Sequence, residues 1–264
     1  VGSSFEHPAT RSAAKYWAAQ TKRQYINVQH DDTLGHVTAD HYSNIITPDT
    51  RVVTILHASP VTGISVDLKK ISEAVRSISP EALIIVDGVQ YAAHGGIKID
   101  DYDIDGYAIS PYKMYSRHGY GFAWVSDRLT QMQHEQLLDG PIENWELGTR
   151  DTGSYATLSD VVEYLEWLGE KVESTNNRTK KLTNAAKAIA AQETSLTELM
   201  INGEDNIKGL KDLEGIQIIG GEKNPNRKGL VSFRIVGSPS QEIVDFLNVN
   251  GIRTHVRKAD HYSG

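Results

Sequence analysis

Residues 82–125 constrain this chain more than any other stretch: ALIIVDGVQYAAHGGIKIDDYDIDGYAISPYKMYSRHGYGFAWV. An apolar run, Leu83 to Val86, ends on an acid, Asp87, and Gln90 follows three residues later. A second strand-like run, Gly106 to Ile109, ends in Ser110-Pro111-Tyr112-Lys113. A third, Phe122 to Val125, follows the glycines Gly119 and Gly121. Upstream, Arg51 to Leu56 is rich in β-branched residues and predicts a strand. Between it and Leu83, apolar residues recur at Leu68, Ile71, Val75 and Ile78, the spacing of one helix face over Asp67 to Ile78. Strands separated by helices predict βαβ units and a mainly parallel sheet. Ligands on such sheets bind at the carboxyl ends of the strands. Asp87 and the segment Ser110 to Lys113 both fall there.

The flanks extend the pattern. Pro8 to Thr21 predicts a helix with Pro8 in its first turn, Tyr25 to Val28 a short strand, and Thr38 to Ile46 a short helix. From about Tyr155 the character changes. Tyr155 to Val172 and Arg178 to Met200 predict long helices, followed by strands at Ile216 to Ile219 and Leu230 to Val236. A helix is expected from Ser240, and a last strand over Gly251 to Val256. This divides the chain into a large α/β domain, residues 1–150, and a smaller α+β C-terminal domain, residues 151–264. The abrupt ends, Val1-Gly2-Ser3 and Arg257 to Gly264, are those expected of a piece truncated at both ends.

Composition removes several classes of function. A net charge of -7 without a Lys/Arg block argues against a nucleic-acid or anionic-membrane partner. No apolar run reaches the roughly 18 residues of a membrane-spanning helix. There is no cysteine, so the given residues offer no disulfide, thiolate metal site or cysteine nucleophile. The ten histidines are scattered and predict no metal site. The absence of cysteine fits a cytoplasmic protein.

A lone lysine is most often a solvated surface charge. Here the combination matters, because Asp87, Gln90, Ser110 and Lys113 converge on the strand ends of one sheet. An acid at one strand end and a lysine just past the next is how one class of enzymes holds pyridoxal phosphate. The lysine forms a Schiff base and the acid pairs with the pyridinium nitrogen. The chain resembles the class V aminotransferase superfamily of fold-type I pyridoxal phosphate enzymes. The likeness is closest to its cysteine desulfurase, selenocysteine lyase and isopenicillin N epimerase-like branch. It rests on Phe5 to Ala9 (FEHPA), His57 to Gly63 (HASPVTG), Asp87 to Gln90 (DGVQ), Ser110 to Lys113 (SPYK), Gly119-Tyr120-Gly121, and Glu146 to Thr149 (ELGT), in family order.

The resemblance implies the site, one residue at a time. His7 would stack on the cofactor ring, Asp87 would hold the pyridinium proton, and Gln90 would donate to the phenolate oxygen. Ser110 would bind the phosphate, and Lys113 would carry the Schiff base and then act as acid and base at the substrate α-carbon. Thr149, with Gly148, would reach the phosphate of a neighbouring subunit, which implies a homodimer. Tyr112 stands where the family usually has histidine; its hydroxyl can also donate to phosphate. Ser59 stands near where relatives carry a ring-contacting asparagine. The family's N-terminal phosphate loop and substrate-carboxylate arginine would lie outside this chain. Arg150 is either a residue of the site entrance or part of a surface ion pair. Tyr262 falls about where one desulfurase branch carries its persulfide cysteine, and a phenol cannot accept sulfur as a thiolate does.

The expectation is therefore an enzyme acting at the α-carbon of a small-molecule amino acid, lyase or epimerase-like, with a class V aminotransferase as the alternative. A nucleotide-binding α/β domain would need a Gly-rich turn directly after a strand and opening a helix, which Gly95-Gly96 and Gly119-Tyr120-Gly121 do not supply. A non-catalytic relative would have no need of Asp87 and Lys113 together.

Overall fold

The strand segments are runs of Val, Ile and Leu, and they become the buried layer of the molecule. The computed structural model describes residues 1–31 and 33–257. In chain order, β1 (Gly2–Ser3), α1 (Pro8–Gln20), β2 (Asn27–Val28) and α2 (Ala39–Ser43) come first. They are followed by β3 (Val52–Leu56), α3 (Leu68–Ile78), β4 (Leu83–Asp87), β5 (Gly106–Ile109), β6 (Phe122–Val125) and the short α4 (Asp127–Thr130). The second half holds α5 (Thr152–Val172), α6 (Arg178–Asn202), the hairpin β7 (Gly203–Glu204) and β8 (Ile207–Lys208), then β9 (Ile216–Ile218), β10 (Phe233–Ile235) and α7 (Ser240–Val249).

The main sheet runs β3-β4-β5-β6. β3, β4 and β5 are parallel, and β6 pairs antiparallel with β5. The expected mostly parallel α/β sheet is therefore present. Its register pairs Leu56 with Asp87 and Asp87 with Ala108. Asp87 thus ends β4, and Ser110 begins immediately past β5 on the same edge.

The helix over Leu68–Ile78 forms for the reasons its spacing gives. Asp67 caps it, accepting from the Lys70 N–H at 3.1 Å, and Leu68, Ile71 and Val75 are buried. They pack with Val53, Ile55, Ile84 and Val86 of the sheet into the principal core. Each fully buried side chain of this kind stabilises the fold by about 1.5–3 kcal/mol. Tyr42 on α2 is fully buried in the same core, and its hydroxyl donates to the Thr54 carbonyl at 2.9 Å.

One expected element is absent. Residues 252–257 form no strand; α7 ends at Val249 with Asn250 as its cap, Gly251 turns with φ +80°, and no described strand is laddered to the segment beyond. The strand expected over Leu230 to Val236 is confined to Phe233–Ile235, paired with β9. Tyr262 and His261 lie outside the described residues. The two halves also meet directly, since the Ser65 N–H donates to the Asn226 carbonyl at 2.9 Å and the Lys228 N–H to the Gly63 carbonyl at 2.8 Å.

A buried carboxylate ties the base of the sheet together. Asp105, 2% exposed, accepts from the Ile84 N–H, Arg76 Nη2 and Arg128 Nη2, each at 2.8 Å. Burial pushes its pKa up, but the hydrogen bonds from Arg128, Ile84 and Arg76 outweigh this and hold it below the usual carboxylate value. Asp105→Ala should destabilise the protein by about 3–5 kcal/mol, because two guanidinium groups and a backbone donor lose their acceptor. Urea unfolding at neutral pH measures it. The depressed pKa means the stabilisation is present at neutral pH and lost as pH falls below about 4, so the deficit of the variant should shrink there.

Candidate active site

The geometry begins at the end of β4. Asp87 Oδ1 accepts from the Val89 N–H at 3.1 Å, a turn that starts the chain toward Gln90. Its Oδ2 accepts from Thr10 Oγ1 at 3.3 Å, so the first turn of α1 stands over the acid. The Gly88 N–H continues the ladder to the Ala108 carbonyl at 2.9 Å. A Cβ at residue 88 would stand 2.0 Å from the Tyr107 ring, so only glycine fits there.

Past β5, Pro111–Met114 forms a 3₁₀ turn, closed by Tyr115 at φ +70°. This turn points Lys113 back toward β4. Its Nζ donates to Gln90 Oε1 at 2.9 Å. Lys113 is half-buried, and burial lowers its pKa; the nearby negative charge of Asp87 works against this and the positive charge of Arg257 adds to it. A desolvated lysine with a lowered pKa is the amine needed for nucleophilic chemistry near neutral pH.

Two further groups surround Asp87. His57 is 3% exposed, shares a 2.8 Å hydrogen bond with the Tyr107 hydroxyl, and stacks on Tyr91 at 3.5 Å. Burial, and then the charge of Lys228, push its pKa to about 3, so it is neutral. Glu6 is fully buried, with Oε1 accepting from the Ser3 N–H, the Ser3 hydroxyl and the Leu56 N–H. Its Oε2 has no hydrogen-bond partner among the described residues. Desolvation, reinforced by the charge of Asp87, pushes its pKa up to about 8.

The structure brings Asp87, Gln90 and Lys113 together and sets Ser110 beside them; the Ser110 carbonyl accepts from the Lys113 N–H at 3.0 Å. His7 caps α1, its Nδ1 accepting from the Ala9 N–H at 3.2 Å, three residues before the Thr10 that reaches Asp87. Tyr112 is exposed and stacks on His118 at 4.3 Å. Ser59 is buried in a turn where its Oγ accepts from the Val61 and Thr62 N–H groups, both at 3.1 Å, so its own proton remains to be donated. Thr149 lines a separate surface depression with Tyr120, Gly148 and Tyr155, which neither Asp87 nor Lys113 lines. Arg150 is taken up by an ion pair with Glu146.

Sequence reasoning missed Thr10, His94 and Glu193. Thr10 and His94 sit near recognised residues, three positions after His7 and four after Gln90. Glu193 is 99 residues from His94, to which its carboxylate is joined, and nothing local marks it. Among the described residues no helix is long and apolar enough to cross a membrane.

Comparison with known proteins identifies the family and the fold. The family described as aminotransferase class-V matches residues 1–259. The chain belongs to that family. A probable cysteine desulfurase of Xylella fastidiosa (strain Temecula1) is 26% identical, with 93% of this chain aligned to 56% of that protein. The cysteine desulfurase-like protein ustD of Aspergillus flavus is 26% identical, covering 89% of this chain and 49% of its own length. The chain thus spans about half the length of these relatives. Among solved structures, the Escherichia coli cysteine desulfurase CsdA superposes with a TM-score of 0.71 at 23% identity, over 96% of this chain and 60% of that one. The fold of these enzymes is therefore the fold of this chain.

The buried Glu6 gives a test of the site's electrostatics. Its folded carboxyl holds the proton up to about pH 8, while the unfolded chain releases it near 4.5. Between these values the native state binds more protons, so this group's contribution to stability falls as pH rises. Glu6→Gln should remove that slope, and its stability relative to wild type should improve by a few kcal/mol between pH 5 and 8, at about 1.4 kcal/mol per pKa unit. Urea midpoints across that range measure it; parallel curves for the two proteins would contradict a neutral Glu6.

Proposed function

We propose that the protein carrying this chain is a pyridoxal phosphate-dependent enzyme acting at the α-carbon of a small-molecule amino acid, with a lyase or epimerase-like reaction. One observation carries the reading: a half-buried lysine of lowered pKa, hydrogen-bonded to Gln90, faces an acid at the end of the adjacent parallel strand. The donor set fits the cofactor. Lys113 would hold it through the ε-amine, Asp87 would pair with the ring nitrogen, and Gln90 would donate an amide N–H to the ring oxygen. Ser110 and Tyr112 would donate to the phosphate, His7 would cover the ring, and Ser59 would add its remaining proton. Pyridoxal phosphate supplies an electron sink for charge developing at the α-carbon. Asp87 would stabilise a positive ring nitrogen, and the Lys113 amine would take and return a proton at the substrate α-carbon.

The preference for this branch is supported by what the 264 residues contain. They include no cysteine, so they cannot carry a persulfide, and sulfur transfer is less favoured than elimination or epimerisation. The family match keeps transamination as the second reading. The reading extends to a cytoplasmic homodimer of two-domain subunits, residues 1–150 and 151–264, in which the exposed loop at Gly148 and Thr149 reaches the partner's phosphate. Its support is that Thr149 faces a surface depression apart from Lys113 of its own chain.

Borohydride reduction of the cofactor-loaded protein should attach the cofactor to the peptide containing Lys113, and labelling of another lysine would sink the assignment. Product analysis with a panel of amino acids, with and without a keto acid, then separates the readings. Turnover without a keto acid marks a lyase or epimerase; strict dependence on it marks an aminotransferase.

Asp87→Ala should lose about 2–5 kcal/mol of stabilisation of the charged ring. If this acts in the transition state, turnover falls roughly 30- to several-thousand-fold, measured under cofactor saturation. Undiminished turnover would assign the role to a different acid.

A further inference from the structure

Gln90 is held from two sides. Lys113 Nζ donates to its Oε1 at 2.9 Å, and its Nε2 lies 3.0 Å from Nε2 of His94. Across the imidazole, His94 Nδ1 lies 2.7 Å from Oε1 of Glu193, on α6. Glu193 Oε2 in turn accepts from the Gly229 N–H at 3.2 Å. The two side chains are largely sheltered, His94 at 15% and Glu193 at 22% exposure. Neither has a part in the reading of the site given above.

The chemistry of these groups leaves one neutral arrangement. A carboxylate only accepts, so the proton of a neutral His94 sits on Nδ1. Its Nε2 is then an acceptor, which selects the amide nitrogen of Gln90 and turns the amide oxygen to Lys113. The reverse amide would set oxygen against a lone pair and N–H groups against the lysine. The second amide N–H stays available for another acceptor.

We propose that His94 and Glu193 are positioning residues that fix the orientation of the Gln90 amide and, through it, the ammonium of Lys113. This deepens the pyridoxal phosphate reading and rests on it for its catalytic consequence. The orientation itself belongs to the protein without cofactor. An amide oxygen facing Lys113 favours its charged form, and a reversed amide disfavours it. Asp87 and Arg257 also act on Lys113, and every variant below leaves them in place. The relay makes α6, through Glu193, a support of a lysine 80 residues earlier in the chain. Its far end is sterically set as well. A Cβ at residue 229 would lie 2.7 Å from Glu193 Cδ and 2.8 Å from the Oε1 that holds His94.

The test reads Lys113 in the cofactor-free protein by trace acylation with acetic anhydride from pH 6 to 10, with the Lys113 peptide quantified by mass spectrometry and thermal melting measured alongside. His94→Ala and Glu193→Ala should shift the Lys113 curve to lower pH and raise its labelling at pH 8 by about three- to tenfold, the effect of half to one pKa unit. Glu193→Gln keeps an acceptor oxygen for the Nδ1 proton and should follow wild type. Gly229→Ala, which displaces the carboxyl without removing it, should resemble Glu193→Ala. Where His94→Ala does not fold, Glu193→Ala read against Glu193→Gln decides the question alone. Superimposable curves for Glu193→Ala and wild type would overturn the proposal. So would a Glu193→Gln shift as large as that of Glu193→Ala, which would assign the effect to carboxylate charge. Failure of borohydride to trap cofactor on Lys113 would refute the functional reading while leaving these curves unchanged.

Discussion

The pairing of β4 with β5 is the constraint on which the site depends. Three residue pairs, ending at Asp87 with Ala108, set the two strand ends level. Adjacent strands lie about 4.8 Å apart, so whatever follows β5 turns over the end of β4. A slip of one residue would carry Asp87 to the other face of the sheet. Two contacts make such a slip costly. The Gly88 N–H extends the ladder beyond Asp87, and Tyr107 fills the space where any other residue 88 would need a Cβ. Tyr107 also holds His57, whose backbone N–H donates to the Asp87 carbonyl. Strand register, aromatic packing and the position of the acid are one arrangement.

Burial then sorts the charges around that acid. Glu6 and His57 are both neutral near neutral pH, one because its carboxyl is pushed up to about 8 and the other because its imidazole is pushed down to about 3. Neither competes with Asp87 for a positive partner or with Lys113 for a negative one. Lys113 is only half-buried, so its pKa is lowered without the extreme desolvation that reaches Glu6. Partial burial suits an amine that must both exchange protons and form a bond.

The sheet and the two ends of the site were legible in the sequence because their signals are local. Val, Ile and Leu runs ending in Asp87 or in Ser110 to Lys113 announce buried strands, and the spacing of Leu68, Ile71 and Val75 announces the helix between them. Gly106–Ile109 and Phe122–Val125 occur over the residues expected. Gly251 to Val256 misled for the converse reason. Its residues suit a strand, but a strand needs a neighbour, and none of the described residues offers one. Residue types at strand ends also carry no orientation, so nothing in SPYK shows that Lys113 turns to Gln90 while Tyr112 stacks outward on His118. Ser59 illustrates the same limit, since its hydroxyl is engaged by a turn that its neighbours build.

What sequence could not disclose at all is how the second half supports the first. Arg227 is 8% exposed and meets backbone carbonyls from both halves. Its Nη2 donates to Gly221 at 2.7 Å and Ile219 at 2.9 Å, and its Nη1 reaches Thr62 and Leu230 at 3.5 and 3.4 Å. No carboxylate pairs with it among the described residues, and burial lowers its pKa. Carbonyl dipoles alone must compensate a buried guanidinium, which is tolerable only because its planar fork fits several acceptors at once. The same segment supplies the Gly229 N–H that holds Glu193, and Lys228, whose ammonium lies 5.5 Å from the Tyr91 ring centroid. Three consecutive residues, 227–229, therefore touch the 57–65 turn, the aromatic wall of His57 and the relay to Gln90. Read singly they are a common basic tripeptide; their meaning lies in the approach of two chain segments more than a hundred residues apart.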